Sequence, residues 1–129
     1  MHMKWRWAVL LAVFALFLVG GYLSDRSVLL AVGELQNLAR GLESAVDADN
    51  WLGAQEVLDR LCQEWPTIRR IWDLRMHRDE MDDLDLSLAR LGGYMAEEDK
   101  AGILSELGAW RTLLTHVEQK EVFRWRNLL

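Results

Sequence analysis

The amino-acid sequence predicts an all-α protein in which an N-terminal transmembrane helix continues into two antiparallel helical hairpins, like a four-helix bundle. Two patterns predict this class. Residues 7–24 contain no charged side chain. Over the rest of the chain, apolar residues recur every three or four positions in four rows, as they do in amphipathic helices. A hydrophobic content of 51% and a single proline also favour a packed helical domain over a disordered chain.

Residues 1–24 are predicted to form a signal-anchor. The uncharged stretch follows Lys4 and Arg6. A helix from Trp5 to Leu23 is about 28 Å long, which is enough to cross the hydrocarbon core of a bilayer. The positive-inside rule then places the N-terminus in the cytoplasm of a single-pass membrane protein and the remaining residues outside it. A cleaved signal peptide is the alternative that this pattern leaves open.

Residues 25–129 are predicted to form one extracytoplasmic helical domain of modest size. The anchor holds two of the 15 basic residues, so the domain carries 13 Lys and Arg against all 20 Asp and Glu. This excess of negative charge, without a basic stripe, argues against nucleic acid binding. The lone cysteine, Cys62, stands among leucines, which predicts a small buried side chain.

The first hairpin is predicted over residues 25–65. Its two apolar rows mirror each other about Ala48, as expected for antiparallel helices joined by a turn at residues 47–50. Asp49 or Asn50 is expected to cap the second helix. The rows are Val28, Ala31, Leu35, Leu38, Leu42 and Ala45, and then Trp51, Ala54, Leu58, Leu61, Trp65 and Ile68.

The second hairpin is predicted over residues 66–127. Pro66 fits the first turn of its first helix, where the missing N–H costs little. The mirror lies at Asp99, in an acidic stretch that suits a helix N-terminus. An open arrangement of the two hairpins is the alternative to a closed bundle. The rows are Leu74, His77, Met81, Leu84, Leu88, Leu91 and Met95, and then Ile103, Leu107, Trp110, Leu114, Val117 and Glu121.

This topology returns the last helix toward the bilayer surface. Tryptophan and arginine favour the headgroup zone, so we expect an interaction belt at this end of the domain. The alternative is that the tryptophans of the second reversal, Trp65 and Trp72, belong to the core. The belt residues are Trp65, Trp72, Arg124, Trp125 and Arg126.

One region is rich in titratable side chains. His77 lies in an apolar row opposite Glu121, which predicts a polar pair that fixes the register of the last two helices. His116 is close enough in the pattern to make His77, His116 and Glu121 candidate metal ligands. The chain lacks the paired Glu-x-x-His or His-x-x-x-His spacing of helical metal sites, and it lacks catalytic motifs. We therefore predict no metal, no cofactor and no enzymatic activity.

The order of several segments carries a resemblance. These are the stretch from Trp65 to Trp72, the acidic segment that begins at His77, residues 84–91 and residues 113–117. In this order the chain resembles a family of small membrane-anchored bacterial proteins of unknown function, of about this length, from spore-forming Gram-positive bacteria. The resemblance implies a helical protein held at a membrane, and it supplies no activity.

Two functions follow as hypotheses. The first is a non-enzymatic interaction module that binds or stabilises another membrane protein, or that self-associates. The second is a sensor-like bundle that binds a metal or small ligand through His77, His116 and nearby carboxylates.

Overall fold

The computed structural model describes residues 2–128, except for the side chains at positions 2, 21, 22, 24, 25, 125 and 128. Every regular element in that part of the chain is an α-helix, which confirms the all-α prediction. The helices are α1 (His2–Asp47), α2 (Trp51–Trp72), α3 (Arg78–Ala96) and α4 (Lys100–Leu128).

Helix α1 has 46 residues, and its two halves have different surroundings. Met3–Gly20 is an 18-residue segment with a mean hydropathy of 1.7, and none of it is buried. This segment is long and apolar enough to cross a membrane. From Val28 onward the same helix buries one face in the core of the domain. One continuous helix therefore carries both the apolar segment and one face of the domain core.

Helices α1 and α4 pack side by side in opposite directions. Helix α1 contacts α2 and α4, α3 contacts α4, and α2 and α3 contact each other least. Lys100, at the start of α4, donates to the carbonyl oxygen of Asp47 at the end of α1, at 3.1 Å. Farther along both helices, the side-chain amide of Gln36 reaches the hydroxyl of Thr115 at 3.5 Å. Helix α4 therefore runs back along α1 toward the apolar segment.

The buried face of α1 is rotated from the predicted one. Ala31, Leu38 and Ala45 are only partly buried, and the residue after each of them is buried. The reason is that α1 packs against two helices, so its apolar stripe is wider than one row. The buried residues of α1 are Val28, Val32, Leu35, Ala39, Leu42 and Val46.

The two predicted turns are present. Asn50 caps α2, because its side-chain oxygen accepts a hydrogen bond from the backbone N–H of Gly53 at 3.0 Å. Asp49 precedes it in the left-handed region, with φ of 56°. Asp99 accepts from the N–H of Gly102 at 3.1 Å in the same way at the start of α4.

The predicted start of the third helix at Pro66 is wrong. Helix α2 continues through Pro66 to Trp72, and α3 begins only at Arg78. Buried tryptophans stand on both sides of the proline, so packing maintains the helix despite the missing backbone N–H. The chain reverses over residues 73–77, and the predicted row positions there do not continue: Leu74 is 87% exposed.

Candidate functional site

A cavity of about 450 Å³ lies between the α2–α3 connection and the last part of α4; we call it the linker cavity. The five-residue connection leads directly into α3, and α3 is packed against α4. Side chains of the connection therefore line the cavity together with side chains of α4. The lining combines basic, acidic and apolar side chains at one end of the domain. These residues are Arg75, Met76, His77, Glu80, Lys120, Glu121, Phe123, Arg124 and Asn127.

Glu121 is a carboxylate buried in this lining, with only 3% of its side chain exposed. Its Oε2 lies 3.5 Å from a guanidinium nitrogen of Arg75, and its Oε1 lies 3.9 Å from Arg124. Among the described residues, no donor makes a geometrically good hydrogen bond to Oε2. A buried carboxylate without a full set of donors is costly, so these arginines compensate its charge.

A second ion pair lies in the lining of the cavity. Lys120 of α4 forms an ion pair with Glu80 in the first turn of α3. Arg124 is 53% exposed, and its contact with Glu121 is longer than a hydrogen bond. Arg124 therefore presents guanidinium donors at the mouth of the cavity.

His77 does not lie in the buried row from which its polar pair with Glu121 is predicted. His77 is exposed and occupies the N-cap position of α3, without a side-chain capping bond. Although both residues line the linker cavity, the arginine of the connection, Arg75, takes the position at Glu121 that was assigned to the histidine. The mirror relation assumed one helix through residues 74–95, and the helix begins at Arg78.

The candidate metal ligands are not brought together. His77 and Glu121 line the linker cavity, whereas His116 lines an adjoining cleft that shares Glu80 and Lys120 with it. Across the described positions, no three His, Cys, Asp or Glu side chains converge as a metal site requires.

Trp65 and Trp72 lie in the core and are not surface residues of the predicted belt, being 3% and 1% exposed. Their rings meet edge to face at 5.7 Å, and Trp65 also contacts Trp110 at 6.4 Å. The indole N–H of Trp65 donates to Asp85 of α3 at 2.6 Å. The apolar ring of Trp65 is thus removed from water, and Asp85 accepts the hydrogen bond of its one side-chain donor.

The other belt residues are at the end of α4. Arg124 and Arg126 are exposed, at the end of the domain from which the apolar half of α1 emerges. The side chain of Trp125 lies outside the described residues. Arg124 and Arg126 therefore remain candidates for contact with the headgroup zone of a bilayer.

Sequence reasoning missed Arg75, Lys120 and Glu80. Arg75 sits in the connection, where no helical spacing relates it to α4. A signal was nevertheless present: an acidic residue at a core position of α4, Glu121, requires a cation from a neighbouring segment.

Two further titratable groups lie on α1 and α2. The pKa of Glu34 is raised, because its carboxyl hydrogen-bonds with that of Glu64 and the two repel; Arg60 opposes the shift. Cys62 is exposed, which corrects the expectation of a buried thiol, and partial burial together with Asp59 raises its pKa. Helix α2 turns Cys62 outward, because the core row at this level is occupied by Leu61.

One comparison identifies the family of this chain. Residues 22–128 match DUF4363, a domain of unknown function, so the chain belongs to that family. No curated protein and no solved structure matches the chain.

Proposed function

With membership of DUF4363 as the premise, we propose that this protein is a membrane-anchored, extracytoplasmic interaction module that binds or stabilises another membrane protein or a second copy of itself. We further propose that the domain is an up-down-up-down four-helix bundle on the outer side of the membrane. The function is binding, not catalysis.

The observation that carries the proposal is the division of α1. Its first half is apolar and wholly unburied, and its second half is part of the domain core. This exposed 18-residue segment is apolar except for Lys4 and Arg6, which is strongly unfavourable in water, so it requires a lipid or protein environment. The unburied surface of Met3–Gly20 is also where another membrane helix would pack.

Anchoring is tested by extracting cell membranes with alkaline carbonate. We expect the protein to remain in the membrane pellet at the intact mass of the full chain. Release into the supernatant, or a mature mass that lacks the apolar segment, contradicts the anchor and favours a cleaved signal sequence.

The side of the membrane is tested with the native cysteine. Cys62 is the one cysteine of the chain and it is exposed, so a membrane-impermeant maleimide labels it only from the side that the domain occupies. Its raised pKa calls for mildly alkaline labelling conditions, because the thiolate is the reactive form. We expect labelling of intact cells.

The matched control moves the thiol to the other side. In a Cys62→Ser background, Met3→Cys places an exposed thiol beside Lys4 and Arg6, at the N-terminal end of the apolar segment. This variant should react only after the cells are permeabilised. The reverse labelling pattern contradicts the proposed topology.

The binding role is tested by site-specific photocrosslinking in the native membrane. A photoreactive residue at Phe17, which is 79% exposed on the apolar segment, should give one reproducible crosslinked band that contains a membrane protein or a second copy. The matched control is Leu52, which is 76% exposed at the opposite end of the domain. Equal background at both positions contradicts an interaction through the apolar segment.

A further inference from the structure

The linker cavity lies at the end of the domain from which the apolar segment emerges. Gln36 and Thr115 are in contact on antiparallel helices, so Val28 of α1 and Phe123 of α4, each eight residues away, are at the same level. Val28 follows Gly20 by eight residues, or about 12 Å along the helix. The headgroup layer of a bilayer extends roughly 5–8 Å beyond its hydrocarbon core. Long side chains at the cavity mouth therefore reach it.

The cavity mouth is chemically suited to a phosphate group. Arg124 is half exposed, and among the described residues its ion-pair contact is the 3.9 Å approach to Glu121, so its planar donors can face an incoming oxyanion. Lys120 lines the same space one turn earlier. Arg126 lies in an adjoining cleft that shares Phe123 with the linker cavity.

Apolar side chains are exposed at the same end of the domain as these cations. Phe123 is 64% exposed on the cavity lining, and Leu74, beside Arg75 in the connection, is 87% exposed. Ile71, near the end of α2, is 47% exposed. Arginine and lysine near exposed apolar side chains are typical of surfaces that lie at the boundary between headgroups and acyl chains.

We propose that the linker cavity binds the headgroup of an anionic phospholipid in the leaflet that the domain faces. Arg124 contacts the phosphate, Lys120, which is ion-paired with Glu80, adds positive charge beside it, and Phe123 contacts the upper acyl chains. The buried carboxylate of Glu121 limits this binding, because it competes with the phosphate for Arg124. This inference rests on the proposed anchoring, since the anchor brings the cavity to the headgroup layer.

The test measures lipids that remain bound to the full chain in native mass spectrometry. The detergent-solubilised protein is mixed with equal amounts of phosphatidylglycerol and phosphatidylcholine. We expect preferential retention of phosphatidylglycerol by the wild type. Arg124→Ala should lower that retention about five-fold, the effect of about one basic residue near an anionic surface.

Two variants provide the controls. Arg40→Ala removes an exposed arginine that lines a different cleft, and it should leave lipid retention unchanged. Glu121→Gln should increase retention of phosphatidylglycerol, since it removes the competing carboxylate while keeping the side-chain shape. Thermal unfolding of each variant shows whether it remains folded.

The outcomes separate this inference from the proposed function. If Arg124→Ala and Arg40→Ala retain phosphatidylglycerol equally, the headgroup site is overturned, whatever carbonate extraction shows about the anchor. If soluble glycerol phosphate binds the wild type as tightly as the lipid and displaces it, the cavity is a site for free anions and the lipid assignment is overturned. A protein that leaves the membrane in carbonate overturns the anchor and, with it, the placement of this cavity at the headgroups.

Discussion

The hydrogen bond from Trp65 to Asp85 should be a principal connection between α2 and α3. These two helices contact each other least, and Trp65 and Arg69 of α2 make polar contacts with Asp82 and Asp85 of α3. Asp85 accepts the indole N–H of Trp65 at 2.6 Å and also forms an ion pair with Arg69. Arg69 has a second partner on α3 in Asp82, at 3.1 Å. An Asp85→Ala change therefore leaves Arg69 paired and the buried indole without its acceptor.

The size of this effect follows from burial. A hydrogen bond to a charged group contributes about 1.5–3 kcal/mol, and Trp65 is only 3% exposed, so water does not easily replace the acceptor. The Asp85 side chain is itself 41% exposed, so we expect the lower end of this range, about 1.5 kcal/mol. For a domain of about 100 residues, this corresponds to a decrease in Tm of roughly 6 °C.

The assay is urea unfolding of the full chain in detergent, followed by circular dichroism at the helical band. Asp83→Ala is the matched control, because it removes the same charge from an exposed position of α3. A double-mutant cycle with Trp65→Phe isolates the pairwise contribution. The reasoning is refuted if Asp85→Ala and Asp83→Ala have equal effects, or if the losses at Trp65 and Asp85 are additive.

Three further predictions concern the domain's stability. The protonated form of Glu34 is favoured in the folded state, so this carboxyl contributes most to stability at low pH, and the contribution is lost as pH rises through its raised pKa. In urea titrations over a pH series, Glu34→Gln should remove this dependence relative to the wild type; parallel curves would contradict it. Pro66→Ala should raise the free energy of unfolding by about 1–3 kcal/mol, because it restores a hydrogen bond inside α2, and a lower Tm in thermal unfolding would show that reasoning to be wrong. Asn50→Ala should cost about 1 kcal/mol through loss of the cap on α2, and Asn50→Asp, which retains an acceptor, should cost much less in the same measurement.

The sequence predicts an apolar row most reliably where one helix has one continuous seam. All six predicted row positions of α4, from Ile103 to Glu121, are buried. The buried row of α1 is harder to predict, because adjacent apolar residues such as Leu38 and Ala39 both fit a helical period. Only the contact of α1 with two neighbours decides which of them is fully buried.

The errors at the candidate site have a different physical cause. Periodicity relates residues within a helix, and the row containing His77 was extended across a connection where the helical register does not apply. Glu121 was assigned correctly to the core row, but its cation, Arg75, comes from that connection. Local propensity was also misleading at Pro66, where the packing of Trp65 and Trp72 outweighs the preference of proline for a helix start.

The continuity of α1 also has a mechanical consequence. A straight α-helix is stiff over this length, and no loop or proline interrupts His2–Asp47. Val28 and Leu35 face the core only a few turns beyond Gly20. A tilt or axial rotation imposed on the apolar half would therefore be transmitted along the same helix to the side chains packed on α2 and α4.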